Sequence, residues 1–160
     1  MASIATIGVY GWTLESFLAA LQAANVQVVL DVRQRRGVRG PEYAWANSAR
    51  LQAALASAGI EYRHHKELAP TTDLRLVQYA EDARQGIGKR ARLDLAPEYR
   101  ERYEREILDP VDLRELVRNL PVDGLAALLC VERDSEACHR SLIAERLEAE
   151  FDASAVDLRP

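Results

Sequence analysis

Hydrophobic positions fall into two alternating patterns along this chain, short continuous apolar runs and stripes at helical spacing. Ile4 to Val9 reads as a first strand, with Gly8, Tyr10 and Gly11 as turn material and Thr13 as a helix cap. Leu14, Phe17, Leu18 and Leu21 then recur at helical spacing to about Asn25, and Val26 to Arg33 forms a second strand. Asn47 is placed to cap a helix carrying Leu51, Ala54, Leu55 and Ala58 that ends at Gly59, and Ile60 to His65 gives a third strand. The pattern weakens from Thr71 to Leu108, where a helix over Asp73 to Gln85, a break at Gly86 and Gly88, and a helix entered through Pro97 are expected. Asp109 and Pro110 are expected to open a helix with Leu113, Leu116, Val117 and Leu120. Pro121 and Asp123-Gly124 turn the chain into the apolar run Leu125 to Glu132, a fourth strand. A last helix carries Leu142, Ile143, Leu147 and Phe151, and Ala155 to Leu158 supplies a closing strand.

Strands that alternate with helices predict an α/β fold: a single three-layer domain over residues 1–160, with a mostly parallel sheet of about five strands flanked by helices. Residues 71–108 form a helical excursion over the site. The 160 residues suit one domain, and 48% hydrophobic with 29% charged content is ordinary for a folded globular chain that needs no outside support. No apolar run approaches a membrane span, and the start MASIATIGVY lacks the basic opening and cleavage region of a signal peptide, so a cytoplasmic location without membrane partners is expected. Two cysteines, Cys130 and Cys138, exclude a secreted disulfide framework.

The densest chemistry is Asp134 to Arg140, which seats Cys138, His139 and Arg140 side by side where a helix begins. If Asp134 or Ser135 caps that helix, Cys138 falls in its first turn, where free amides and the helix dipole favour a thiolate. The preceding strand delivers Cys130 and Glu132 to the same end of the sheet, the second strand delivers Asp31 and Arg33, and the third delivers His64 and His65. Each has a plainer alternative: a packed cysteine, an internal Asp31–Arg33 ion pair, a histidine hydrogen-bonded under a loop. Cys130 and Cys138, with His139, His64 or His65, are candidate soft ligands for zinc. No Cys-x-x-Cys or His-Glu-x-x-His spacing is present to fix a metal, so no metal ligand and no cofactor is assigned.

Net charge is -4, against a general nucleic-acid coat. Basic residues nevertheless cluster at Arg33, Arg35, Arg36 and Arg39 and again at Lys89, Arg90 and Arg92, two patches suited to phosphates.

Taken together, Thr6-Ile7-Gly8, Thr13 to Phe17, Leu30 to Arg33, Gly59 to Tyr62 with His64 and Glu67-Leu68, Leu128 to Asp134, and Cys138-His139-Arg140 resemble the bacterial family called domain of unknown function 488. The paired signature of a Cys-x-Glu strand end and a Cys-His-Arg helix start is its specific part. The resemblance implies a compact α/β fold with a shared site and does not name a reaction. The Asp-Val-Arg strand end also resembles rhodanese domains and cysteine phosphatases, but neither Cys130 nor Cys138 has an arginine six residues later, so their mechanism does not transfer.

The leading expectation is an enzyme-like domain that binds a small phosphorylated or nucleotide-type ligand beyond the strand ends. Cys138, His139, Asp31 and His64 are its candidate catalytic residues, and Arg33, Glu132, Arg140 and Tyr10 its candidate ligand contacts. That reading expects Arg140→Ala to abolish ligand binding with the fold intact. The alternatives are a nucleic-acid-binding module acting in DNA repair or regulation, with Arg33 to Arg39 and Lys89 to Arg92 on phosphates, and a zinc-stabilised structural protein.

Overall fold

The structure, a computed structural model, describes residues 2–160. Five strands, β1 (Ser3–Ile7), β2 (Val26–Asp31), β3 (Glu61–His64), β4 (Leu125–Leu129) and β5 (Ser154–Leu158), form one parallel sheet in the order β3-β2-β4-β1-β5. Ile4 to Ile7, Val28 to Asp31 and Ala126 to Leu129 are buried at every successive position. Since neighbouring strand residues face opposite sides, that is possible only if helices cover both faces of the sheet. The fold class expected from the alternating pattern is the one observed.

The helices are α1 (Leu14–Ala23), α2 (Ser48–Ser57), α3 (Thr72–Gln85), α4 (Pro97–Tyr103), α5 (Leu113–Arg118) and α6 (Arg140–Phe151). Thr13 caps α1 in a reciprocal capping box with Ser16, and α4 runs on through a π turn over Glu104–Leu108. Three details differ from the sequence reading. The Asn47 side chain accepts the Val38 N–H at 2.7 Å and so pins the arginine-rich loop rather than the first turn of α2. Asp109 and Pro110 belong to a turn, and Asp112 caps α5 by accepting the Arg114 N–H. A short 3-10 turn, Ser135–Ala137, follows Asp134, so Cys138 is extended backbone and α6 begins at Arg140 with His139 as its cap.

The strand ends are stitched together at β4. Val32 donates to the Leu129 carbonyl, Cys130 to that of Ile7, and both Val9 and Tyr10 to that of Val131. Such closeness requires glycine at position 8: a Cβ there would stand 1.8 Å from the Glu132 carbonyl oxygen. Below this seam, Arg33 is 1% exposed and Asp31 fully buried, joined by paired bonds of 2.9 and 2.8 Å, with Tyr62 donating to the same carboxylate at 2.6 Å.

Two substitutions test this framework. Gly8→Ala should destabilise the protein by roughly 1–3 kcal/mol in denaturant unfolding, because the backbone of β1 or β4 must shift to admit the methyl group. Asp31→Ala should cost roughly 3–5 kcal/mol, because it leaves the Arg33 guanidinium buried without its carboxylate; a loss below about 1 kcal/mol would show that water reaches it.

Candidate functional site

A cavity of about 760 Å³ opens beyond the carboxyl ends of β1, β2 and β4. The chain leaves β1 for one side of the sheet and later returns to insert β4 beside it, so these ends splay apart and leave a crevice. Its floor is made by Cys130, Val131 and Glu132 after β4 and by Ala137, Cys138 and His139 before α6. One wall is Tyr10 and the loop from Gln34 to Arg39; the other is Arg75, Gln78 and Tyr79 of α3, the segment Gly88 to Arg92, and Tyr99 of α4.

At the floor, Cys130, Cys138 and His139 are 6%, 2% and 4% exposed. His139 Nδ1 lies 3.7 Å from Cys130 Sγ and 3.6 Å from Cys138 Sγ. Its Nε2 lies 2.8 Å from the Val32 carbonyl, which can only accept, so Nε2 carries the proton and Nδ1 faces the sulfurs. Tyr103 packs behind the imidazole, ring centroids 5.5 Å apart, and is itself anchored to the Leu68 carbonyl at 2.6 Å. Cys138 Sγ accepts the Arg140 N–H at 3.5 Å, so the helix start still meets the sulfur although the residue precedes the helix.

Burial pushes the Cys130 thiol well above its ordinary range, and the neighbouring Cys138 adds to the shift. Burial alone would lower the His139 pKa, but the charge and hydrogen bond of Cys130 and the Val32 carbonyl outweigh it and leave the net shift upward. Burial likewise opposes ionisation of Glu132, yet Lys89 and Arg92 hold its carboxyl down to about 2.

Those two cations come from the excursion. Arg92 is 7% exposed; it grips Asp82 at 2.6 Å, Glu132 at 3.1 Å and the Ala137 carbonyl at 3.3 Å. Lys89 stands 3.7 Å from Glu132. Gln78 braces the arrangement by donating to Asp82 and accepting the Ala96 N–H. Asp82 and Gln78 are therefore site-building residues that the sequence reading did not assign, and Arg92 and Lys89, expected on phosphates, build the site instead. The basic knot was visible, but its partner Asp82 lies ten positions away across a glycine break, a spacing without a helical or strand period.

The predicted residues divide. Cys138, His139, Glu132 and Tyr10 all line the cavity, with Tyr10 tilted against Tyr43 under the Arg90 guanidinium. Asp31 does not: its carboxylate is occupied by Arg33 and Tyr62 beneath the floor. Arg33 touches the cavity, but its guanidinium is held by Asp31 and the Ala46 carbonyl, so it is a scaffold cation rather than a ligand contact. His64 bonds to the Arg33 carbonyl at 3.1 Å at the β3 edge and His65 to Glu67 at 2.7 Å; neither lines the cavity. In α4, Tyr99 reaches the cavity, Tyr103 is buried behind it, and Arg100 pairs with Glu145 outside. With Arg33 and Arg92 both buried and paired, neither basic cluster offers all its charges to a nucleic-acid backbone.

Arg140 is the clearest correction. Fully buried, it donates to the Glu132 carbonyl at 2.7 Å and the Arg133 carbonyl at 3.2 Å, and lies 3.6 Å from Asp157 of β5. It shapes the loop that presents Glu132 and does not line the cavity. Arg140→Ala should thus lower stability by roughly 2–3 kcal/mol, read by chemical denaturation; a fully stable variant would return Arg140 to the role of ligand contact.

No curated protein and no solved structure matches the chain significantly. A family model does, over residues 13–147, a span that holds every floor residue and the whole excursion. On that match, the chain belongs to the family described as Domain of unknown function DUF488.

Proposed function

We propose that the protein binds a small phosphorylated or nucleotide-type ligand in this cavity, its anionic group at the mouth and its other end on the floor. The observation that carries the reading is a surplus of unpaired cation. Arg35, Arg39 and Arg75 line the cavity, and none has a carboxylate partner within ion-pair distance among the described residues. The one carboxylate in the lining, Glu132, is already matched by Arg92 and Lys89. A concave, low-dielectric pocket with that imbalance concentrates anions, and guanidinium groups pair naturally with phosphate oxygens.

Size and walls agree with a ligand of this class. The volume of about 760 Å³ lies within the usual range for small-molecule sites. Tyr10, Tyr79 and Tyr99 supply flat apolar surface for a base or sugar ring. The floor presents sulfur, imidazole and an ionised carboxylate to whatever lies beyond the anion.

The test is a thermal-shift screen with inorganic phosphate, nucleoside phosphates, sugar phosphates and short single-stranded DNA, at low and moderate salt, on the protein kept in EDTA. One or more small anions should raise the melting temperature, and the Arg35→Ala/Arg39→Ala double variant should weaken that binding by roughly tenfold or more. Stabilisation by DNA alone, lost with added salt, would favour the nucleic-acid reading; no response to any small anion would overturn the proposal.

A further inference from the structure

The floor carries a second cluster whose chemistry needs no anion. Cys130 Sγ, Cys138 Sγ and a nitrogen of His139 all lie within 4.8 Å of one another, and all three residues are buried. We propose that these three residues bind a thiophilic divalent cation, zinc foremost, with its fourth coordination position open to the cavity. The proposal goes beyond the anion reading and does not rest on it.

Distances speak first. A tetrahedral zinc with bonds of about 2.3 Å to sulfur and about 2.0 Å to nitrogen sets its sulfur and nitrogen ligands roughly 3.5–3.6 Å apart. The two sulfurs stand 3.7 and 3.6 Å from Nδ1. Stoichiometry of lone pairs comes next. Neutral imidazole offers one in-plane lone pair at Nδ1 with a sulfur on each side of it, and a cation between the three atoms uses that lone pair and both sulfurs together.

The surroundings have the form that metal ligands require. The Val32 carbonyl at 2.8 Å from Nε2 fixes the tautomer and the ring orientation, as the outer partners of metal-bound histidines do. The Arg140 amide supports the Cys138 sulfur. The three ligands are buried and flank regular elements, Cys130 directly after β4 and Cys138 and His139 directly before α6, so little ordering remains to be done on binding. Two thiolates and one divalent cation are together neutral, which suits a site this buried.

The count of ligands separates this site from a structural one. Structural zinc is closed by four protein ligands, whereas three with one position facing a pocket is the arrangement of catalytic sites. Glu132 is near, its Oε2 3.5 Å from Cys130 Sγ, but Arg92 and Lys89 hold the carboxylate, so water or a cavity ligand takes the fourth position.

Cobalt(II) is the probe, titrated into reduced, metal-free wild-type protein. Saturation at one cobalt per chain is expected, with a near-ultraviolet thiolate-to-cobalt charge-transfer band and the strong visible bands of a tetrahedral centre, both erased by added zinc. Cys130→Ser and Cys138→Ser should each reduce the charge-transfer band by about half. The absence of that band in the wild-type protein would overturn the proposal whether or not the variants fold. A band unchanged in both variants, shown folded by circular dichroism, would also overturn it. The anion screen is run in EDTA, so its failure and the failure of this site are separate results.

Discussion

A carboxylate buried at the end of the central strand is the constraint on which the site depends. Glu132 is 7% exposed, and an ionised group in that position must be matched by cations and hydrogen bonds. Its partners Arg92 and Lys89 belong to the segment between α3 and α4, far from β4 in sequence. Pairing them with Glu132 draws that segment inward over the strand ends, and Asp82 and Gln78 hold it there from α3. The cavity is thus the space enclosed when one buried charge is neutralised from across the fold. Its floor is set separately, by Gly8 admitting the Glu132 backbone and Arg140 bonding the carbonyls of Glu132 and Arg133.

The two ends of the cavity therefore have different chemistry for different reasons. At the mouth, the exposed loop bearing Arg35 and Arg39 is tied back through Gln34, Arg36, Val38 and the Arg39 carbonyl, and the Arg35 and Arg39 guanidinium groups have no carboxylate partner among the described residues, which leaves their charges available to solutes. At the floor, sulfur and imidazole sit in a buried corner, with Tyr103 packed behind the imidazole. A ligand long enough to span both would be gripped electrostatically at one end and would meet the thiols and imidazole at the other. No helix among the described residues is long and apolar enough to cross a membrane.

The strands and most helices were legible in the sequence because their signals are local. Apolar runs such as Leu125 to Leu129 have no other use than a doubly covered strand, and Thr13, Gly59 and Gly86 mark helix ends through side-chain capping or a left-handed backbone. The Cys-x-Glu and Cys-His-Arg motifs likewise meet, because parallel topology brings strand ends and the following helix starts together. What the sequence hid was direction. Asp31 and Arg33 share a face, but parity cannot tell whether that face turns to a ligand or to each other. Arg140 follows His139 directly, yet adjacency in the chain puts its guanidinium behind the floor while the imidazole is in front. Arg92 read as a phosphate contact because its carboxylates, Asp82 and Glu132, arrive from two other elements.

The measurement that reaches the core of this picture compares the alkylation of metal-free protein by iodoacetate and by iodoacetamide, reagents of similar size that differ in charge. If one cavity joins a cationic mouth to a thiol floor, the anionic reagent should be favoured relative to its performance on a small free thiol, and added salt should erase the preference. The same ratio on protein and free thiol, or a preference for the neutral reagent, would contradict the joining of the two ends and leave mouth and floor as unrelated features.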